Sequence, residues 1–409
     1  MSNNKKVIWI VNQYATLPSA FGGTRHYDIA QALINKNLEF FIISSGYSNF
    51  EKKEKQNYGS SFYKIQKVTG NTNFVWLKTP GYNSNGLKRN INTVVFSRQL
   101  KRVSPYLKAP DLIIGSSPQL ICSYQGLKLA KKFKIPFIFE VRDIWPQSLI
   151  ELGMSRFSPL VTYFKYLEKK LMYASNHIVS IMPFFKEYAT GNFNIDNKKI
   201  TWISNGVADR YISHINKRTQ KKKYFDITYS GTIGVAQNSE CIIGAANLLR
   251  NYKNIRFNMI GEGVEKKAII QKVRELDLEN NVLFFDPLPK DKIFNKLYCS
   301  DVLVSSLKYS SIYKYGTGPN KIFDYMAAGR PIIFASSSKN SLVEEAKCGI
   351  MIKSDNSKKL AEELLKLYRS GRSKLEKMGR NGRLYVRKYY AISNLAKKYY
   401  QVIIELLDK

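Results

Sequence analysis

The sequence predicts an α/β protein built from two doubly wound halves, and three observations carry that prediction. Short β-rich apolar runs alternate with segments of helical period, the pattern of a parallel sheet covered by helices on both faces. The alternation breaks once, in a basic, turn-rich stretch from Tyr211 to Lys223, and then restarts. The chain has 409 residues, too many for one domain of ordinary size, since domains cluster near about 100 to 150 residues.

In the first half, Val7 to Val11 reads as a strand, Arg25 to Asn35 as a helix and Phe40 to Ser44 as the next strand. Leu112 to Gly115, a helix near Ser123 to Lys134 and Phe137 to Glu140 repeat the unit. Past the break, the strands are Phe225 to Ser230, Ile255 to Ile260, Val282 to Phe284, Val302 to Ser305 and Pro331 to Phe334. The halves join near residues 195 to 223. Tyr389, Ile392, Leu395, Tyr399, Val402 and Leu406 recur at helical spacing, so Tyr385 to Leu407 is predicted to be one terminal helix.

Composition excludes whole classes. With 44% hydrophobic residues, 24 Gly and 13 Pro, the chain is neither disordered nor collagen-like. The formal charge of +34 draws it toward anionic partners: nucleic acid, acidic lipid or phosphorylated substrates. Cys122, Cys241, Cys299 and Cys348 show no Cys-x-x-Cys spacing, which fits a reducing cytosol. The apolar run Val7 to Val11 is too short for a signal sequence, and no stretch nears the roughly 20 apolar residues that span a bilayer. With His26, His177 and His214 as the histidines, and no Asp-x-Asp, a dedicated metal site is not expected.

In such sheets ligands sit beyond the carboxyl ends of the strands. Three segments fall there. Ala20-Phe21-Gly22-Gly23-Thr24-Arg25-His26 precedes a helix, and its paired glycines suit either a close backbone approach to an anion or a plain tight turn. Tyr229-Ser230-Gly231-Thr232-Ile233-Gly234 follows a strand, and unpaired N–H groups in such a loop can cradle a diphosphate. Gly316-Thr317-Gly318-Pro319-Asn320-Lys321 runs into a helix that closes at Gly329, with Asn320 read as its cap. Lys321 stands in the first turn, where a positive charge opposes the helix dipole unless an anion is bound; Asp324 follows on the same face.

The run Pro319-Asn320-Lys321-Ile322-Phe323-Asp324-Tyr325-Met326-Ala327-Ala328-Gly329-Arg330-Pro331 resembles the donor-binding signature of family 4 glycosyltransferases, retaining enzymes of the GT-B fold. Further resemblances follow in order: Gly22-Gly23 with Arg25-His26, Val141 to Pro146, Ser204 to Val207, Ser230 to Gly234, Ile260 to Gly263 and Met378 to Arg383. Asp143-Ile144-Trp145-Pro146 and the Pro-x-Lys form look most like the transferases of bacterial O-antigen and capsule assembly, including those that handle fucosamine-type aminosugars.

The resemblance implies two facing Rossmann-like domains with a cleft between them: residues 1–195 binding the acceptor, 196–384 binding a nucleotide sugar, in our reading UDP-linked, and 385–409 crossing back to the first domain. It implies that Gly231, Thr232, Ile233, Gly234 and Lys321 meet the diphosphate, Asp324 the ribose hydroxyls, and Gly261 and Gly263 the nucleotide pocket. Gly318 and Asn320 complete the donor set, Gly22 and Gly23 line the cleft, and Asp143 is a catalytic residue near the transferred sugar or the acceptor, positioning or assisting as a base, or else an aspartate ion-paired with Arg142 that caps the following turn. His26 is either a catalytic cleft residue or a group hydrogen-bonded within its own helix. Trp145 is expected to pack rather than stack on sugar.

No cofactor and no metal are implied, fixed positive groups facing the leaving diphosphate instead. Retention would proceed by attack from the leaving-group face, the donor phosphate taking the acceptor proton. The acceptor would be a polyprenyl-diphosphate-linked glycan met at the inner face of the plasma membrane. One departure stands out: many relatives carry a glutamate eight positions before the second acid, and that place is Gly316 here, with the amides of Thr317 and Gly318 as substitutes.

Residues 51–150 hold 17 Lys and Arg against 5 Asp and Glu, and within them Leu87 to Val103 can form a basic amphipathic helix. Leu87, Ile91, Val94, Val95 and Leu100 share one side, flanked by Lys88, Arg89, Arg98, Lys101 and Arg102; that side faces either an anionic membrane or the domain's own core. Two other classes fit parts of the sequence. A nucleic-acid-binding protein would account for the charge, but the excess is even, +17 in residues 1–200 and +17 after, and no nucleic-acid motif occurs, so no nucleic acid is expected. A nonhydrolysing nucleotide-sugar epimerase would share the architecture.

Overall fold

The computed structural model describes residues 5–83, 86–151, 153–213 and 222–408. The chain divides into two compact units, one of Met1–Ser204 with Ile392–Lys409 and one of Asn205–Ala391. The divisions fall at 204/205 and 391/392, whereas the sequence reading places them at 195/196 and 384/385. The shift has a simple cause, because residues 200–202 form a strand of the first unit's sheet. Of the basic join, residues 214–221, His214 among them, lie outside the described residues.

The first unit contains β1 (Lys6–Val11), β2 (Leu38–Ser45), β3 (Tyr47–Ser48), β4 (Lys53–Glu54), β5 (Tyr63–Thr69), β6 (Thr72–Leu77), β7 (Leu112–Ser116), β8 (Phe137–Val141), β9 (His177–Ser180) and β10 (Ile200–Trp202). Its main sheet runs β10-β9-β8-β7-β1-β2-β6-β5, parallel except for the pairing of β5 with β6; β3 and β4 form a separate ribbon. β1, with Val7 to Val11 all buried, reads as a near-continuous apolar run because helices cover both faces. Edge strand β5 instead exposes Lys64 and Ile65. Helices Arg25–Ala32 and Ile392–Leu407 pack together, while Leu87–Val103, Leu120–Phe133 and Pro159–Ala174 form a contiguous row.

Two helices depart from expectation. Leu87–Val103 forms, but its buried side is Asn92, Thr93, Phe96, Ser97, Leu100 and Val103. Polar Asn92 belongs inside because its amide donates to Thr79 Oγ1 at 2.9 Å and accepts from Gln13. Of the expected apolar side only Leu100 is buried; Leu87 and Ile91 stay 76% and 45% exposed. The expected single terminal helix is two, Arg372–Tyr389 and Ile392–Leu407. Tyr390 accepts from the Val207 amide at 3.1 Å and Ala391 pairs with Val207, so a long-range contact interrupts a periodicity that runs on unbroken in the sequence.

The second unit has β11 (Phe225–Ser230), β12 (Ile255–Ile260), β13 (Val282–Phe285), β14 (Val302–Ser306), β15 (Ile332–Ala335) and β16 (Gly349–Ile352), all parallel in the order β13-β12-β11-β14-β15-β16. Order reverses between β11 and β14, so a crevice is expected beyond the carboxyl ends of those two strands. The core below it joins Ile227, Tyr229, Phe257, Met259, Val304 and Ile333 to Ile242, Ala245 and Leu364 of the covering helices.

Candidate functional site

In the second unit the loops after β11 and β12 are locked together. Gly231 N–H donates to Ile260 O at 3.0 Å and Ile233 N–H to Glu262 O at 2.9 Å. A Cβ on Gly261 would stand 1.8 Å from Gly231 O, and one on Gly263 2.1 Å from Ile233 O. Glycine is required at both places because backbone meets backbone. This corrects the expectation of a loop of unpaired amides: those of Gly231 and Ile233 are already committed, and Thr232 and Gly234 are the members left to face a ligand.

Helix Asn320–Ala328 points its first turn at the same crevice. Pro319, not Asn320, occupies the cap position, and Asn320 is the first helical residue with no capping hydrogen bond from the preceding side chain. Tyr325 ties the helix to β11, its hydroxyl accepting from Ser230 N–H at 2.7 Å. At the far end Gly329 adopts a left-handed conformation, and Arg383 donates to Ala327 O and Ala328 O at 3.0 and 3.1 Å. The Met378 to Arg383 segment therefore anchors the site helix.

Lys321 extends over Gly231, where a Cβ would meet its ammonium at 2.6 Å. Its hydrogen-bond partner is the Tyr229 hydroxyl, and among the described residues no carboxylate pairs with it. Burial pushes its pKa down to about 7. Asp324 is engaged by Lys290, 2.5 Å from its carboxylate. Burial raises the Asp324 carboxyl above its usual range, and Lys290 pulls it back. Neither Lys290 nor Tyr229 stood out in the sequence, although Tyr229 lies inside the glycine-loop segment.

The Gly316 turn is held by side chains. Asn340 accepts from Thr317 N–H at 2.8 Å and donates to Thr317 O at 2.8 Å, while Asn205 donates to Gly318 O at 2.7 Å. The Thr317 amide is thus occupied and does not stand in for the glutamate that relatives carry at the place of Gly316.

The first unit has its own recess of about 710 Å³, lined among others by Tyr14, Phe21, Gly23, Trp76, Arg142 and Asp143. Gly23 lines it, whereas Gly22, at φ +126° and packed toward Thr16 and Phe50, is not among its lining residues. Asp143 follows β8, its amide donating to Ser117 Oγ at 3.2 Å. Its side chain reaches solvent, yet the surrounding protein pushes its carboxyl above the usual range, with Arg142 opposing. Trp145 packs edge-on against Phe164, the packing role expected of it.

His26 is not in that recess. It is buried with both ring nitrogens engaged, Nδ1 at 3.0 Å from Asn12 Nδ2 and Nε2 at 2.6 Å from Glu140 Oε2. Burial lowers its pKa against the pull of Glu140, leaving a neutral ring that donates to the carboxylate. Arg25 donates to Glu140 Oε1 at 2.9 Å and to Ile203 O and Ser204 O; Tyr399 of the terminal helix lies 3.4 Å from the same oxygen. Burial alone would raise the Glu140 carboxyl, but His26 and Arg25 hold it well below its usual range. Of the two readings of His26, the geometry matches a structural group, whose partner lies on another element rather than in its own helix.

Among curated proteins none matches the chain. Solved structures do, at identities that speak for the fold alone. Sucrose-phosphate synthase from Thermosynechococcus elongatus is 13% identical over 99% of this chain and 100% of that one, with a TM-score of 0.73. WaaG, a glycosyltransferase involved in lipopolysaccharide biosynthesis, is 13% identical over 97% and 99%, with a TM-score of 0.69. Anabaena HepE in complex with UDP-glucose is 12% identical over 98% and 100%, with a TM-score of 0.68. The likeness runs through both Rossmann-like units and shows the GT-B fold. The family models divide the chain much as its two units do: residues 22–210 match Glycosyltransferase Family 4 and residues 212–385 match Glycosyl transferases group 1. With nearly the whole chain covered by these consecutive matches on a GT-B frame, it belongs to the group 1, family 4 glycosyltransferases, retaining enzymes that draw their sugar from a nucleotide-sugar donor.

Proposed function

We propose that this enzyme moves an N-acetylated aminosugar of the fucosamine type from a UDP-linked donor to a polyprenyl-diphosphate-linked glycan in bacterial O-antigen or capsule assembly. The second unit binds the donor and the first the acceptor. One observation carries the donor reading: Lys321, largely desolvated and without a carboxylate, stands over the Gly231 loop at the start of a helix. That arrangement favours an anion as the partner of the protonated amine, and a diphosphate supplies it. HepE carries UDP-glucose and Staphylococcus aureus TarM carries UDP, which favours uridine here.

In this reading Thr232, Gly234 and Lys321 meet the diphosphate, which leaves without help from a metal or cofactor. Gly231, Ile233, Gly261 and Gly263 shape the pocket, Asp324 takes the ribose, and Gly318 and Asn320 border the sugar. Asp143, beside Gly22 and Gly23, positions the acceptor in the first unit's recess. No helix among the described residues is long and apolar enough to cross a membrane. The outward Leu87 and Ile91, set among Lys88, Arg98, Lys101 and Arg102, favour peripheral docking on the inner leaflet.

Thermal-shift screening of nucleotide sugars tests the donor, since a ligand that binds the native state raises Tm by mass action. UDP-linked aminosugars are expected to shift Tm most. A larger shift with GDP- or CMP-sugars would overturn the assignment.

A further inference from the structure

Among the described residues the guanidinium of Arg142 makes no hydrogen bond and no ion pair. Its backbone is fixed just past β8, the amide donating to Ser117 Oγ at 2.8 Å. The side chain is half-buried, and its Nε is shut off from solvent without a partner. Asp143 is not within ion-pair distance, so the pair that adjacency in the sequence suggests is not made.

Glu140 is the carboxylate best placed to take this guanidinium, and it is full. Arg25 and Tyr399 meet its Oε1 at 2.9 and 3.4 Å, while His26 and Ser116 meet its Oε2 at 2.6 and 2.7 Å. A carboxylate offers about four lone-pair sites, and all are used. Burial holds the pKa of Arg142 below the usual guanidinium range, with Glu140 and Asp143 opposing without touching it. A buried donor left unpaired destabilises the free protein, and a ligand that accepts from it relieves that cost.

Arg142 faces the first unit's recess, whose volume of about 710 Å³ is that of a ligand cavity. Its Nη2 is 3.6 Å from the place that a Cβ on Gly23 would take, so the glycine leaves that side of the fork open. The other cations of the lining differ: Lys64 is exposed, Lys55 pairs with Glu51, and Arg89 donates to the Tyr14 hydroxyl at 3.2 Å. A planar guanidinium with N–H groups to spare matches two oxygens of one phosphate.

Resting on the acceptor reading above, we propose that Arg142 holds the acceptor by its phosphate: in this recess the guanidinium takes two oxygens of the diphosphate that joins glycan to lipid, and so selects a phosphorylated carrier over a neutral one. The sugar of that carrier is left to Asp143, the next residue in the chain.

The test is calorimetric titration of the full chain, with UDP at saturation, against geranyl diphosphate and against geraniol. The wild type is expected to prefer the diphosphate by about tenfold or more, the size of a charge-assisted contact. Arg142→Met is expected to bring the ratio to within about twofold of one, and Arg142→Lys to fall between, because an ammonium keeps the charge and loses the fork. UDP affinity is expected to be unchanged in both. The Arg142→Met protein is expected to melt at or above the wild-type Tm, since it loses an unpaired buried donor; Arg142→Gln replaces it in the titration if the apolar variant loses its fold.

An Arg142→Met protein with the wild-type ratio, or with a lowered Tm and that ratio kept, would make Arg142 a structural residue and overturn the proposal. Weakened UDP binding at an unchanged ratio would make it a donor contact and overturn it as well. A wild type that binds both probes alike overturns it too, and the acceptor reading would stand. That reading falls instead if turnover is found only with acceptors on neutral carriers.

Discussion

The ammonium of Lys321 lies 2.8 Å from the hydroxyl of Tyr229 and 4.2 Å from the centre of its ring. That hydroxyl donates in turn to Thr232 O at 2.5 Å, so it meets the lysine as an acceptor. Tyr229 thereby fixes both the cation and the glycine loop beneath it. The ring attracts the charge, but a neutral hydroxyl cannot replace the water that burial removes, and Lys321 falls to about 7.

Donor binding is therefore expected to be linked to a proton. An anionic diphosphate raises the pKa of Lys321, so binding above pH 7 must load the proton that the free enzyme has lost. Between pH 7.5 and 9, where UDP is fully ionised, affinity is expected to fall as pH rises. Calorimetry at pH 8 in buffers of different ionisation enthalpy is expected to show uptake approaching one proton. Lys321→Ala removes the uptake and, near pH 7, weakens binding by about 1.5 to 3 kcal/mol. Equal affinity at both ends of the range would refute the linkage.

The paired glycine loops predict a contrast in stability. Gly261→Ala forces a Cβ to 1.8 Å from Gly231 O at φ +156°, whereas Gly371→Ala, at φ +71°, meets nothing within 4 Å. The first is expected to cost more than about 2 kcal/mol and the second about 1 kcal/mol, the difference being overpacking beyond backbone strain. Calorimetric melting of the two variants checks it.

Glu140 joins β8, helix Arg25–Ala32 and the terminal helix Ile392–Leu407 through Arg25, His26 and Tyr399. Glu140→Gln leaves Arg25 buried without its counter-charge, a loss of about 3 to 5 kcal/mol for such pairs. His26 carries the pH dependence. Its folded pKa is lowered, so below the unfolded value near 6.5 the unfolded chain binds the proton more readily, and stability falls as pH falls. Urea melts at pH 7.5 and 5.5 are expected to show this fall in the wild type and less of it in His26→Gln.

What the sequence made legible was local. Lys321, Asp324 and the Gly329 stop share one helix, and their spacing announces a common face. Lys290 could not be read the same way: it lies 34 residues from Asp324, in a Lys-Asp-Lys run that looks like ordinary solvated surface. The strands β9 and β10 are four and three residues long, and β5 carries lysines along an edge, so none of them has the apolar run that marks a buried strand. His26 beside paired glycines suggested chemistry, but its partner Glu140 is 114 residues away, and only the fold brings them together.

Asp143→Asn is expected to leave folding and donor affinity nearly intact while lowering turnover. The change removes a charge in the recess of the first unit and almost no volume, and the groups proposed to bind the donor belong to the second unit. Turnover equal to wild type, measured with a lipid-linked acceptor, would make Asp143 a structural residue held by Ser117.

Membrane docking makes a separate demand on Leu87–Val103. The helix leaves Leu87 and Ile91 exposed and carries five basic residues with no acid, while its buried side is satisfied by Phe96, Leu100 and Val103 within the unit. Its neighbour Leu120–Phe133 also has no acidic residue, so repulsion from an anionic leaflet is absent along both. Binding to acidic vesicles is expected to fall steeply with salt, because the Debye length shrinks from about 30 Å at 0.01 M to about 3 Å at 1 M. Neutral vesicles are expected to bind poorly, since two exposed aliphatic residues give little insertion energy on their own. Replacing Arg98, Lys101 and Arg102 with Gln is expected to remove roughly 1 kcal/mol for each that meets the headgroups. UDP affinity is expected to stay unchanged in that variant while activity on a lipid-linked acceptor falls. If the triple variant sediments with acidic vesicles as the wild type does, this helix is not the docking face, and the positive charge acts elsewhere on the molecule.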